Sequence, residues 1–171
     1  MTDSRPAEEF TGETPENSSD TLLRLDSQIC FSLNAASRAF GSVYRTLLKD
    51  LDLTYPQYLV MLVLWEEAAK GPESAAVPVK RLGERLRLDS GTLSPLLKRL
   101  EANGLVRRER SARDERSVNV TLTDAGAALK ERAAEVPRSI ARATGFELAE
   151  IEDLRRRLNR LTEALDTATL G

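Results

Sequence analysis

Residues 88–126 read LDSGTLSPLLKRLEANGLVRRERSARDERSVNVTLTDAG, and the spacing of apolar residues changes partway along them. Asp89 can cap a helix running through SGTLSPLLKRLEANG, which Asn103-Gly104 closes. Beyond it the helical period is lost. Leu105-Val106 is followed by the charged run RRER, and Val118, Val120 and Leu122 alternate with Asn119 and Thr121. This is the pattern of two strands of a hairpin whose tip holds Ser111, Ala112, Arg113, Asp114, Glu115 and Arg116. Thr123 then caps a helix beginning DAGAALKERAAEV, which Pro137 interrupts.

Upstream, Val79–Leu88 forms a short helix with Val79, Leu82 and Leu86 inward and Lys80, Arg81 and Arg85 outward. A short helix, a tight turn, a capped second helix and a basic hairpin make a winged helix-turn-helix. The expected fold class is mainly α with a small β-wing, completed by a helical dimerisation region from the N- and C-terminal helices.

Farther out, Thr54-Tyr55-Pro56-Gln57 marks a helix start. Thr54 accepts from backbone amides, Gln57 reaches back, and Pro56 sits where its missing N–H costs little. The helix continues through LVMLVLWEEAAK, apolar nearly all round and therefore central, and Gly71-Pro72 ends it, leaving PESAAVP as a loop. The first helix is expected to start at Asp20 or Thr21. Its stripe of Leu22, Leu25, Ile29, Leu33, Ala36, Phe40, Val43, Leu47 and Leu51 implies one long amphipathic helix that needs a partner, most simply a second subunit. A final amphipathic helix spans about 147–168. The expected organisation is a disordered acidic tail at 1–20, a dimerisation and sensor helix at 21–53, the winged helix-turn-helix at 54–136 and a C-terminal dimerisation helix at 137–171.

Composition narrows the chemistry. The 171 residues contain no histidine and one cysteine, so Ser-His and Cys-His pairs, ordinary zinc sites and an internal disulfide are excluded. No cofactor is expected. No apolar run approaches the ~20 residues of a membrane span, and the N-terminus MTDSRPAEEF is no signal peptide; a cytoplasmic setting follows as the expectation. The net charge of −2 conceals an uneven distribution: residues 1–30 carry two basic and seven acidic groups, whereas 78–116 carry eleven basic and six acidic groups. A local basic face is the footprint of nucleic-acid binding.

The second helix of such a pair presents its N-terminal residues to the bases of the major groove. Ser90, Thr92 and Ser94 offer hydroxyls there, and Gly91 permits close approach. Lys98 and Arg99 lie farther along, at reach of phosphates. Pro95 predicts a local kink or an irregular early turn. In the wing, Arg107, Arg108, Arg110, Arg113 and Arg116 fall within ten residues. An arginine at a hairpin tip suits the narrow minor groove, and Asp114 is spaced to brace Arg116. Arg113 and Arg116 are the expected groove readers, with Arg107, Arg108 and Arg110 left to phosphates or solvent. A charge run of this kind can also be a plain solvated face.

The quoted stretch resembles the DNA-binding core of MarR-type regulators, above all in Asp114-Glu115-Arg116-Ser117 followed by a strand and Thr123-Asp124-Ala125-Gly126. With LDSGTLSP, QICFSLNAASR and LTYPQYLVMLVLW, residues 22–168 are similar to the single-cysteine branch of organic-hydroperoxide-sensing repressors. The resemblance implies that Cys30 is a redox sensor and that Tyr44 and Tyr55 support its thiolate. Asn34 stands where some members carry another tyrosine, and the loop 71–78 is longer than in compact relatives. Cys30 and Tyr44 are fourteen residues apart, about 21 Å along a helix. They can meet only between chains, if two first helices pair antiparallel.

The implied function is a homodimeric repressor that binds a pseudo-palindromic double-stranded DNA operator. An organic hydroperoxide oxidises Cys30, a low-molecular-weight thiol then forms a mixed disulfide, and the operator is released. The residues themselves leave other readings open. Cys30 can be a small buried core residue, with regulation by a reversibly bound aromatic or anionic ligand. A cysteine-dependent peroxidase lacks a histidine or second cysteine to support turnover. A purely structural helical dimer leaves the arginine-rich wing unexplained.

Overall fold

The computed structural model describes residues 22–111 and 117–168. Its elements in chain order are α1 (Ile29–Leu47), α2 (Tyr55–Ala69), β1 (Val77–Pro78), α3 (Val79–Leu86), α4 (Ser90–Ala102), β2 (Val106–Arg110), β3 (Val118–Leu122), α5 (Asp124–Ala133), α6 (Glu135–Thr144) and α7 (Leu148–Thr167). Contacts divide the chain into two compact units between Phe40 and Gly41, within α1. The expected acidic tail at 1–20 lies outside the described residues.

The C-terminal unit is built around α2. Tyr58, Val60, Met61, Val63, Leu64 and Trp65 are all buried, which explains why this helix reads as apolar on every side. At its start, Gln57 Oε1 accepts from the Thr54 N–H at 2.8 Å, as the sequence predicts for a reciprocal cap. Leu82 of α3, Leu93, Leu97 and Leu100 of α4 and Val120 of β3 close the core around it. Each such buried side chain is worth roughly 1.5–3 kcal/mol relative to exposure.

Four expectations change. The first helix is nineteen residues long, not one continuous helix from Asp20 to Leu51. Ahead of it, Leu25–Ser27 form a 3-10 turn and Gln28 is extended, its side-chain amide donating to the carbonyls of Leu22 and Arg24. After it, Asp52 adopts a left-handed conformation (φ 52°) that turns the chain and buries Leu48, Leu51 and Leu53.

The wing is three-stranded, in the order β1-β3-β2, not a two-stranded hairpin. Val77 pairs with Val120 inside the stretch expected to be loop, and burial of both side chains outweighs the strand-breaking signal of Pro78. The third change concerns α3, where Arg81 and Arg85 do not simply face solvent. Both reach the buried carboxylate of Glu67 on α2. The fourth is Pro137, which sits inside the first turn of α6. The interruption falls at Ala134, three residues earlier, because the proline ring and its missing N–H disrupt the bond to the Ala133 carbonyl. Pro95 is carried within an unbroken α4, its absent N–H falling on the first-turn residue Gly91.

The helices at the two ends of the described chain bury nothing. No residue of α1 or α7 is fully buried, and of α1 Tyr44 and Leu47 are partly covered where they pack on the core. Ile29, Phe31 and Phe40 in the N-terminal unit and Leu148, Leu154, Leu158 and Leu165 in the C-terminal unit remain exposed.

Candidate nucleic-acid interface and thiol region

The turn between α3 and α4 depends on close backbone approach. A Cβ on Gly83 would lie 2.9 Å from the Leu88 carbonyl oxygen, and Leu88 N–H donates to Gly83 O at 3.0 Å. Arg87 takes a left-handed conformation (φ 54°) to complete the turn. Asp89 then caps α4, accepting from the Thr92 backbone N–H at 2.9 Å and from its hydroxyl at 2.8 Å. These bonds hold the Asp89 carboxyl below the usual carboxylate range.

Leu93, Leu97 and Leu100 anchor α4 in the core, so the opposite side of the helix is turned outward. Ser90, Thr92, Lys98 and Arg99 are exposed and Ser94 is half-buried. Thr92 is less free than its sequence position suggests, since its hydroxyl donates to Asp89 and can only accept from a ligand. A cleft of about 780 Å³ brings Lys80, Arg87, Ser90, Ser94, Arg108 and Val118 to one surface. Among the described residues, Lys98, Arg99 and Arg110 make no ion pair within the chain. The proposed groove readers Arg113, Asp114 and Arg116 lie outside the described residues.

Arg108 has a different setting. Its Nε and Nη2 donate to Glu101 Oε2 at 2.9 and 2.6 Å, and its backbone N–H donates to Glu101 Oε1 at 3.0 Å. Arg108 holds the Glu101 carboxyl below its ordinary range. Sequence reasoning missed Glu101; the signal was an opposite charge seven residues away across the Asn103-Gly104 turn.

Glu67 was also missed. Its side chain is almost wholly buried, and Oε1 accepts from Lys70 at 2.9 Å, Arg85 at 3.0 Å and Arg81 at 3.1 Å. The Lys70 bond, joined by the charges of Arg81 and Arg85, keeps its pKa low and ties α3 to α2. An acidic residue inside an otherwise apolar helix was the available clue.

The start of α5 locks the far end of the motif. Thr123 Oγ1 accepts from Gly126 N–H at 3.0 Å and donates to Gly104 O at 2.6 Å, and Trp65 Nε1 donates to Gly126 O at 2.8 Å. A Cβ at Gly126 would lie 1.9 Å from Leu105 O, so no larger residue fits.

Tyr44 and Tyr55, named together from the sequence, are neighbours with ring centroids 4.5 Å apart. Tyr58, which was not anticipated, lies 6.0 Å from Tyr44 and stacks edge-on to Trp65. Burial, then Tyr55 and Tyr58, push the Tyr44 phenol up to about 12, so its hydroxyl stays protonated and able to donate. In the N-terminal unit, Cys30 is a free, exposed thiol in the first turn of α1, and Asn34 follows one turn later, also exposed.

Residues 42–133, from the end of α1 through α5, match the family model described as transcriptional regulator SarA/Rot. The chain belongs to this family of MarR-type winged-helix transcriptional regulators. The organic hydroperoxide resistance transcriptional regulator of Bacillus subtilis is 45% identical over 85% of this chain and 92% of its own length. The regulator TtmR of Methylorubrum extorquens is 53% identical over 77% of this chain, and the chain spans only 64% of that relative.

Among solved structures, AbfR of Staphylococcus epidermidis is 35% identical, covers 87% of this chain and 98% of its own, and superposes with a TM-score of 0.69. AbfR has been solved bound to DNA in reduced and overoxidised forms and also in a disulfide form. The family and these relatives are transcriptional regulators, not enzymes. No helix among the described residues is long and apolar enough to cross a membrane.

Proposed function

We propose that this regulator is a homodimeric DNA-binding repressor that senses organic hydroperoxides through Cys30 and then releases a pseudo-palindromic operator. The observation that carries this is Cys30 itself: the only thiol of the chain, exposed, in the first turn of a helix that leaves Ile29, Phe31 and Phe40 uncovered. The 45% identical hydroperoxide-resistance regulator, and the redox states in which AbfR has been solved, support the same chemistry.

The uncovered stripes of α1 and α7 supply the dimerisation surface. Antiparallel pairing of two α1 helices brings Cys30 of one subunit toward the Tyr44–Tyr55 pair of the other, whose phenols donate to the thiolate. Asn34 lies one helical turn from the thiol and offers its amide. The thiolate attacks the distal oxygen of ROOH. The O–O bond breaks, ROH leaves after taking a proton, and the sulfur is oxidised by two electrons to a sulfenic acid. A low-molecular-weight thiol R′SH then attacks the sulfenic sulfur, forming the mixed disulfide and water, since no second cysteine is present to close a bridge within the chain. The added bulk between subunits disturbs the ~34 Å spacing of the two α4 helices that fits successive major grooves.

On DNA, Ser90, Thr92 and Ser94 face the bases, Lys98 and Arg99 face phosphates, and Arg113 and Arg116, braced by Asp114, enter the minor groove. The experiment compares binding of the wild type and Cys30→Ser to a duplex selected from a random-sequence pool, with and without an organic hydroperoxide. Wild type is released and Cys30→Ser stays bound. Equal release of both proteins refutes the sensor role, and a mass shift confined to Cys30 identifies the adduct.

A further inference from the structure

β2 is an edge strand, pairing only with β3 in the order β1-β3-β2. Along it, Arg108 stands opposite the fully buried Val120. An edge strand leaves a row of backbone groups without strand partners, and here the Arg108 N–H is taken by Glu101 Oε1 at 3.0 Å. The same carboxylate receives the guanidinium of Arg108 in a two-bond grip on Oε2. The residue of α4 and the residue of the wing are joined through both main chain and side chain.

Both side chains are about two-thirds covered, Arg108 at 28% and Glu101 at 35% exposure. Two of the intervening residues are themselves tied down: Gly104 N–H donates to Glu101 O and Leu105 N–H to Leu100 O, making the connection short and stiff. The nearby wing cations are different, since Arg107 and Glu109 meet only at 3.8 Å on the exposed surface, and Arg110 has no ion pair among the described residues.

We infer that Glu101 and Arg108 are positioning residues for DNA binding, a clasp that sets the angle of the wing against the recognition helix α4, and that Arg108 is not itself a phosphate contact. The inference rests on the DNA-binding function proposed above. It reassigns an arginine that the sequence places among the DNA-contacting cations. The charge of this guanidinium is already matched by a carboxylate that holds it through Nε and Nη2, which makes it a poorer phosphate ligand than Arg107 and Arg110 on the strand it holds.

The electrostatic sign makes the test decisive. Glu101→Gln removes a negative charge from the DNA-binding region, so a purely electrostatic effect strengthens DNA binding. Loss of the clasp weakens it. Measured on a duplex selected for tight binding to the wild-type chain, Glu101→Gln is expected to bind about tenfold more weakly, with a salt slope reduced by roughly one contact as wing phosphates are lost. Arg108→Lys keeps the charge but not the planar fork, so it is expected to lose affinity to a similar degree. In the double variant Glu101→Gln/Arg108→Lys the losses do not add.

Amide exchange at Arg108 in the free protein gives a reading independent of DNA, slow in the wild type and faster in Glu101→Gln. Wild-type affinity or tighter binding in Glu101→Gln overturns the clasp, as does full affinity in Arg108→Lys or unchanged exchange at Arg108. Failure of the wild type to bind any duplex in a salt-dependent way overturns the DNA-binding function, and with it the clasp's role. Failure of the variants alone overturns only the clasp.

Discussion

Gly126→Ala is expected to be severe, although it adds a single methyl group. That carbon would lie 1.9 Å from the Leu105 carbonyl oxygen, with the Leu105 carbonyl carbon 2.9 Å away. Ordinary contact needs more than an ångström of additional separation, and the obstacle is backbone, so no side chain can rotate aside. Either α5 or the α4–β2 connection must move.

Three hydrogen bonds cross this point: Thr123 N–H to Leu105 O at 3.1 Å, Gly126 N–H to Thr123 Oγ1 at 3.0 Å and Trp65 Nε1–H to Gly126 O at 2.8 Å. Each is worth about 1 kcal/mol net. Overpacking adds ~1–3 kcal/mol, and part of the bonding survives after relaxation. The expected loss is therefore roughly 3–5 kcal/mol, against total stabilities of about 5–15 kcal/mol. In a chain of this size this lowers the melting temperature by on the order of 10 °C.

Urea denaturation at one fixed protein concentration, followed by far-ultraviolet circular dichroism, measures the difference, with the concentration held because subunit association contributes to apparent stability. Trp65→Phe supplies the internal scale: it removes one of the three bonds together with part of a buried ring and is expected to cost roughly 1–3 kcal/mol. A Gly126→Ala protein within 1 kcal/mol of wild type would show that the junction is not a rigid wall, and the reasoning would fail.

Two further outcomes follow from charge and burial. Lys70, then Arg81 and Arg85, hold the Glu67 carboxyl below its ordinary value of 4.5, so the stability it confers is complete above that pH and is lost as the pH falls through the lower folded-state value. Glu67→Gln is accordingly less stable at neutral pH, with the two stability curves converging in acid; parallel curves from pH 7 downwards would contradict the assigned network. Tyr44, raised by burial and by its tyrosine neighbours to about 12, is expected to give the last phenolate step of the wild type in a rapid pH-jump absorbance titration. Tyr44→Phe loses that step, and its persistence would assign it to another ring.

The amino-acid sequence alone determined the elements whose signals are local. Asp89 and Thr123 cap α4 and α5 where their hydrogen-bonding side chains sit, the apolar length of α2 marks the centre of the core, and the switch from helical to alternating period locates β2 and β3. These are decided within a few residues of one another, by propensity, capping and periodicity.

The tertiary structure decided what depends on distant partners. β1 exists because Val77 meets Val120 forty-three residues later, and no local pattern in PESAAVP announces it. The break near Pro137 falls at Ala134 because the proline acts on a carbonyl four residues back. Tyr44 and Tyr55 become one aromatic pair only when the turn at Asp52 brings the Gly41–Leu47 end of α1 against the start of α2. The basic residues show the division most clearly. In sequence Arg81, Arg85, Arg108 and Arg110 are equivalent positive charges, but Glu67 and Glu101 take the first three into the framework and leave Arg110 unpaired among the described residues. A charge becomes a contact or a brace according to which carboxylate the fold places beside it, and that is a property of three-dimensional proximity.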